Sequence, residues 1–242
     1  MSRWKASGIH LLVSLVVATS AIVLVLLLLF PDPYAQSSGA HRLLSILIGV
    51  DVTLGPLITL IIYKQGKRGL KFDLAAIAFL QIAALIYGLY AIAQARPIYL
   101  VYMNDRFSLV PARLITEEEM AKASPPFDRK PLRGPILVGT YVSQEDRPIM
   151  MDALLAGFDL DVQPMFFIDY RLQTQDIVAK ATPLKELLDF SDEANKAVID
   201  WANGRALDDY FYYPLVTNNG YQTLVLDKLT VEPAGIIPVD PW

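Results

Sequence analysis

The stretch Leu43–Tyr63, LLSILIGVDVTLGPLITLIIY, decides how the first part of this chain folds. It has 21 residues, and Asp51 is its only ionisable side chain before the terminal tyrosine. About 20 apolar residues, each rising about 1.5 Å, cross the roughly 30 Å hydrocarbon core of a bilayer. We therefore predict a membrane-spanning helix with Asp51 near its middle. A carboxylate there costs about 2.5–3.5 kcal/mol, so it faces a helix partner or a polar cavity and not lipid.

Small residues recur at every fourth position of this span, at Ser45, Gly49 and Thr53. This spacing places them on one helix face, where they allow a second helix to approach closely. Asp51 lies about 200° round the helix from Gly49 and Thr53 and so points to a different neighbour.

The pair Gly55-Pro56 interrupts the same span. Pro56 has no N–H to donate to the carbonyl of Val52, so we predict a kink. A kink inside a bilayer requires that neighbouring helices, or the hydroxyl of Thr53, satisfy the freed carbonyl. The span is therefore predicted to lie at the centre of a packed helix bundle.

Two further apolar runs, about residues 9–30 and 72–95, predict three transmembrane helices together with 43–63. The first run follows a basic start but is too long for a signal peptide, and no convincing cleavage site follows it. The third run has Gln81 as its mid-membrane polar residue and a mostly small stripe at Ala76, Leu80, Ala84 and Gly88. The predicted organisation is a membrane domain, 1–96, followed by an α+β domain, 97–242.

Charge is distributed unevenly along the chain. Residues 1–96 hold three acids and eight Lys/Arg, whereas residues 97–242 hold 22 acids and 13 Lys/Arg. Nucleic-acid binding requires clustered basic residues, so the acidic second part argues against it.

The first inter-helix loop carries only Arg42, and the cations of the N-terminus and the second loop are Arg3, Lys5, Lys64, Lys67, Arg68 and Lys71. The positive-inside rule then places the N-terminus in the cytoplasm and 97–242 on the far side of the membrane.

Depth in the membrane suggests a partner for Asp51. Tyr63 and Phe72 mark the predicted cytoplasmic ends of the second and third helices. Asp51 lies 12 residues from Tyr63, and Gln81 lies nine residues from Phe72. Their heights then differ by roughly 5 Å, which is within side-chain reach if the two helices adjoin. We expect Asp51 and Gln81 to pair, with Tyr87 and Ser14 as weaker candidates.

Local signals outline the second domain. Residues 97–102 and 107–110 flank Asn104-Asp105 as a strand–turn–strand, and Thr116 opens a capping box with Glu119. Helices are predicted over 146–156 and after the cap Ser191. Residues 210–216 and 221–231, joined through Asn218-Asn219-Gly220, form the strongest hairpin signal.

Catalytic templates find no match in this sequence. The chain has no cysteine, and its two histidines, His10 and His41, both adjoin membrane segments. Neither thiol chemistry, a Ser-His or Cys-His pair in the second domain, nor a His-zinc site is therefore expected. Asp159 and Asp161 have the DxD spacing of metal-binding sugar-nucleotide transferases, but three-residue matches are common by chance, so we expect a solvated loop or strand. No catalytic residue, metal or cofactor is predicted.

Asp51 has two open interpretations. It is either a structural acid that bonds Gln81 or Thr53 and holds the helices in register, or a recognition point for a partner helix. The candidate intramembrane site comprises Asp51, Gly49, Thr53, Gly55, Pro56 and Gln81.

Several runs of the sequence match a known family: Ser2–Lys5, Gly8–His10, Gly49–Leu60, Phe72–Ala75, Gln81, Tyr87-Gly88, Gln94–Pro97, Asp105–Phe107 and Pro241-Trp242. On these residues the chain resembles the type IV pilin accessory proteins of the TfpX/TfpZ kind, closely over about residues 1–110 and more loosely beyond. The resemblance implies a non-enzymatic inner-membrane protein of Gram-negative bacteria that assists type IV pilus assembly by acting on the major pilin before polymerisation. It supplies no active-site residues.

The partners expected from this resemblance are the membrane helix and the head of the major pilin, within a lipid bilayer. An apolar pilin helix that carries one acid fits a kinked bundle, and the acidic periplasmic domain is free to meet the head. Two buried acids repel unless one is protonated, so a direct contact of the pilin acid with Asp51 requires a shared proton. The oligomeric state stays open. Two alternatives are an envelope sensor whose periplasmic domain binds a ligand and, ranked last, a membrane glycan transferase that uses Asp159 and Asp161.

The predicted orientation has a direct test in cells. Alkaline phosphatase, which folds only outside the cytoplasm, should be active when fused after Trp242 and inactive when fused after Lys67 in the second loop. Activity at Lys67 without activity at Trp242 contradicts the orientation.

Overall fold

A computed structural model describes residues 2–242 of the chain as two compact units. The helical unit comprises the residues up to Pro31 together with Gly39–Ala95. The α+β unit comprises Asp32–Ser38 together with Arg96–Trp242. The short segment between the first two long helices thus belongs to the α+β unit.

Three helices of the helical unit are long and apolar enough to cross a membrane, as predicted. Span 1 is α1, Arg3–Leu29, which begins before the predicted apolar run because the Ser2 side chain caps it by accepting the N–H of Lys5. Span 2, Ala40–Ile62, is α3 (Ala40–Gly49), a π-helical segment (Val50–Leu54) and α4 (Gly55–Ile62). Span 3 is α5, Leu70–Ala95.

The loop between spans 1 and 2 contains the short helix α2, Tyr34–Ser37. Tyr34 packs against the core of the α+β unit, and burial raises the pKa of its phenol to about 12. The Asn219 side-chain amide also donates to the Ser37 carbonyl, at 3.0 Å. The packing of Tyr34 and the hydrogen bond to Ser37 therefore attach this loop to the α+β unit.

The α+β unit is built on one mixed sheet of eight strands. The strands are β1 (Pro97–Tyr102), β2 (Phe107–Pro111), β3 (Ile136–Thr140), β4 (Phe167–Asp169), β5 (Thr182–Pro183), β6 (Tyr210–Thr217), β7 (Gly220–Asp227) and β8 (Pro233–Ile237). Their order is β4-β3-β1-β2-β6-β7-β8, and β5 pairs with β6. The pairs β1–β3 and β2–β6 are parallel, and the other pairs are antiparallel.

Four α-helices accompany the sheet: α6 (Glu117–Lys122), α7 (Arg147–Leu155), α8 (Thr174–Lys180) and α9 (Asp192–Ala202). The predicted capping box is confirmed, because the Thr116 hydroxyl accepts the Glu119 N–H. The Ser191 cap and the β6–β7 hairpin are confirmed as well. Strand β7 ends at Asp227 instead of continuing to residue 231, since the Asp227 carboxylate accepts the N–H groups of Leu229 and Thr230 and turns the chain.

An aromatic cluster fills the centre of the α+β unit. The rings of Tyr102, Phe107 and Tyr213 have centroids 5.2–5.8 Å apart.

The buried hydroxyl of Tyr170 donates to the Val231 carbonyl, at 2.7 Å. Burial raises the pKa of Tyr170, so its phenol stays protonated and keeps this bond over the physiological range. Val231 has φ 57°, which is strained for a β-branched residue, and the Tyr170 bond holds its turn.

We expect Tyr170→Phe to lower the free energy of unfolding by about 1–2 kcal/mol, because the Val231 carbonyl loses its buried donor. Tyr221→Phe is the matched control, since Tyr221 is 55% exposed, and its change should stay within about 0.5 kcal/mol. Denaturant unfolding of the full chain in detergent micelles measures both. Equal midpoints for the two variants contradict the role of this hydrogen bond.

Candidate intramembrane site

Spans 1 and 2 pack through small residues. Span 1 buries Ala6, Ser14, Ala18, Ala21 and Val25. Span 2 contributes buried Gly55, Pro56 and Thr59 from α4, the segment that α1 contacts most extensively. The small-residue stripe that makes this contact thus lies on span 1. The spacing of four and three from Ser14 to Ala21 is the sequence signal that would have found it.

The π-helical segment directly precedes Pro56 and sets the backbone hydrogen bonds of the site. In a π-helix the carbonyl of residue i faces the N–H of residue i+5, so the Asp51 carbonyl faces Pro56, which has no N–H. The Gln81 side-chain nitrogen approaches this carbonyl oxygen from span 3, at 3.4 Å. The π-register therefore places the Asp51 carbonyl, and not the predicted Val52 carbonyl, opposite Pro56, and a neighbouring helix supplies the missing donor.

Gln81 also joins a polar chain across all three spans. Its amide oxygen lies 2.7 Å from His10 Nε2, and His10 Nδ1 lies 2.6 Å from the Thr59 hydroxyl oxygen. Because the Gln81 oxygen only accepts, His10 Nε2 is the donor of this hydrogen bond. A second bond runs from the Ser7 hydroxyl to the Pro56 carbonyl, at 2.9 Å. These bonds fix the register of the three helices.

The Asp51 carboxyl is left out of this chain. The residue is 7% exposed, and its buried Oδ1 accepts no hydrogen bond from residues 2–242. The expected pairing of Asp51 with Gln81 does exist, but through the main-chain oxygen of Asp51 and not through its carboxyl. Both the amide nitrogen and the amide oxygen of Gln81 are occupied.

Two of the predicted site residues lie elsewhere. Gly49 and Thr53 are exposed, as is Ser45, so this face of span 2 is uncovered by its own unit. The Thr53 hydroxyl donates to the Gly49 carbonyl of the same helix. The structure brings together Asp51, Gly55, Pro56 and Gln81, and adds His10, Thr59 and Ser7, which sequence reasoning missed because 49 to 71 residues separate the bonded pairs.

The DxD pair of the α+β unit is engaged in structural contacts. The Asp159 carboxylate pairs with the Arg106 guanidinium at 2.9 Å and accepts the Leu160 N–H at 2.7 Å. Burial raises the pKa of Asp161, which does not favour a metal-binding carboxylate. Within residues 2–242 there is no group of three or more His, Asp or Glu residues arranged to hold a metal.

Sequence comparison finds relatives along almost the whole chain. A family profile described as "Fimbrial assembly protein FimB" matches residues 1–39. Fimbrial assembly protein, serogroup I, of Dichelobacter nodosus is 33% identical over 239 residues, which cover 93% of this chain and 90% of that protein. The serogroup E1 protein of the same organism is 31% identical, with the same coverage, and that of serogroups C1 and C2 is 38% identical over 122 residues, covering 49% of this chain and 92% of that protein. No solved structure matches.

Gly55→Ala tests the polar chain. A methyl group at Gly55 would lie 2.0 Å from the Gln81 amide nitrogen, so this side chain must leave its bonds, and stability should fall by about 1–3 kcal/mol. Gly49→Ala is the control, because its methyl meets nothing within 4 Å, and it should be neutral or stabilising. Thermal unfolding in micelles measures both. Combining Gly55→Ala with Gln81→Ala should reduce the loss caused by the Gly55 change, and an additive double variant contradicts the displacement of Gln81.

Proposed function

Because this chain belongs to the fimbrial assembly protein family, we propose that it assists type IV pilus assembly as a non-enzymatic accessory protein that binds the major pilin before polymerisation. The full-length relatives are named for fimbrial assembly, and coverage of 93% of this chain extends that role to both of its units. The resemblance described above supplies the pilin as the object of this assistance.

The proposed location is the bacterial inner membrane, with the N-terminus in the cytoplasm and the α+β unit in the periplasm. Three helices long enough to span a bilayer support it, as does the placement of six cations at the N-terminus and in the second loop. In this orientation the net negative α+β unit is available to the periplasmic head of a pilin, while the helical unit shares the bilayer with the pilin helix.

The observation that carries the proposal is the Asp51 carboxyl, whose Oδ1 is buried at mid-span and accepts no hydrogen bond from residues 2–242. The neighbouring Gln81 amide bonds the Asp51 main chain and His10, and it donates no hydrogen bond to this Oδ1. A polar group left unsatisfied in hydrocarbon costs several kcal/mol, which a partner helix that supplies a donor recovers. Of the two interpretations of Asp51, this geometry favours recognition.

Pilin copurification with Asp51 variants tests the proposal. Asp51→Leu should fold to wild-type level but retain about tenfold less pilin, which corresponds to about 1.4 kcal/mol of lost binding. Ser20→Leu is the control, because the Ser20 hydroxyl donates to the Val16 carbonyl of its own helix in span 1 and its loss should leave pilin recovery unchanged.

Piliation gives the matching cellular result. A strain that lacks this protein and carries its own pilin should assemble fewer pili, and expression of the wild type should restore them. Equal piliation with and without the protein contradicts the proposed function. Loss of folded protein in Asp51→Leu, with Asp51→Asn tolerated, assigns Asp51 a structural role instead.

A further inference from the structure

Spans 2 and 3 leave a continuous groove between them. Two cavities, of about 400 and 280 Å³, share Val50, Asp51 and Ala84 and so form a single groove. On span 2 this groove extends from Leu43 to Ile62. Nineteen steps of about 1.5 Å give about 28 Å, close to the roughly 30 Å thickness of the hydrocarbon core. The groove is therefore as long as one complete transmembrane segment.

The walls of this groove are mostly apolar, and their polar residues away from mid-depth are Asp73 and Tyr87. Small side chains of span 3 keep one wall low, at Ala76, Ala84, Gly88 and Ala91. The polar groups at the centre are Asp51 and Gln81, and the Gln81 amide is already bonded at both ends. What the groove presents to an occupant is thus a mostly apolar, helix-length surface with the acid Asp51 in the middle, and the buried Oδ1 of this acid has no hydrogen-bond partner within residues 2–242.

We infer that this groove receives the transmembrane helix of the pilin, and that this helix brings a hydrogen-bond donor to the depth of Asp51. The inference rests on the proposed function and specifies where the pilin binds. Acyl chains fill an apolar groove but have no donor for the carboxyl oxygen, whereas a helix with a hydroxyl, amide or amine group at mid-membrane supplies both. The complementary partner is an apolar helix with a single central donor.

The uncovered stripe on span 2 is less suited to this role. Ser45 and Thr53 point away from Asp51, and their hydroxyls donate to the carbonyls of His41 and Gly49 in their own helix. The stripe therefore offers close approach without an unsatisfied polar group. Binding at the groove and binding at the stripe place the pilin on different faces of span 2, so the two are experimentally separable.

Because the chain contains no cysteine, each introduced cysteine is the single thiol available for crosslinking from this protein. Single cysteines at Leu54 and Leu80, which line the groove and are 49% and 67% exposed, should form disulfides with a pilin that carries one cysteine at the middle of its helix. Single cysteines at the exposed positions Ser45 and Thr53 are the controls and should give at least tenfold less product. Crosslinks from Ser45 and Thr53 without crosslinks from Leu54 and Leu80 overturn the groove assignment. Groove cysteines that join only two copies of this chain overturn it as well.

Filling the groove provides a second test that does not depend on cysteine chemistry. Ala84→Phe places a ring inside the groove, whereas Ala83→Phe places the same ring on a neighbouring exposed position of span 3 outside the two cavities. Pilin recovery should fall about tenfold for Ala84→Phe and stay within twofold of wild type for Ala83→Phe. Equal recovery by both variants overturns the inference. If pilin copurifies with the wild type and the groove variants have no effect, the groove inference fails and the proposed function stands. If no pilin associates with any variant or with the wild type, both the groove inference and the proposed function fail.

Discussion

Pro56 has no amide hydrogen, and the helical unit is arranged around this missing donor. The π-helical segment before Pro56 brings the Asp51 carbonyl into register with the proline nitrogen, so the donor must come from another helix. Gln81 of span 3 supplies it and is itself oriented by His10 of span 1. Gln81 donates one N–H to the main chain, and Oδ1 of the Asp51 carboxyl accepts no hydrogen bond from this network. The position of Gln81 beside the Asp51 carbonyl is thus matched to the donor that Pro56 lacks.

The sequence predicted much of this arrangement but not its atomic detail. Span positions follow from apolar length, and the proximity of Asp51 and Gln81 follows from equal depth, because helix rise is constant. Whether Gln81 bonds the main-chain oxygen or the carboxyl of Asp51 depends on the π-helical register. No residue pattern in span 2 predicts that register. His10 was missed for a different reason: it comes 49 residues before Thr59, so no local pattern links the two residues.

In the α+β unit, contacts between residues that are close in sequence were easier to predict than contacts between distant residues. The β6–β7 hairpin and the Thr116 and Ser191 caps were predicted because neighbouring residues carry the whole signal. The parallel pairs β1–β3 and β2–β6 join distant segments, so their register is decided by the shared core and not by a turn. Strand β8 was missed because its short run contains Pro233 and Gly235, residues that weaken a strand signal.

The placement of Tyr34 has a consequence for how this protein can be divided. Its ring packs against the core of the α+β unit, yet spans 2 and 3 separate it in sequence from Arg96, where the rest of that unit begins. A fragment that starts at Arg96 would lose this packing and the hydrogen bond from Asn219 to the Ser37 carbonyl. During synthesis, Tyr34 leaves the ribosome before the strands that it packs against, so this contact forms only after they have been made. A soluble version of the unit therefore needs residues 32–38 supplied through an engineered linker.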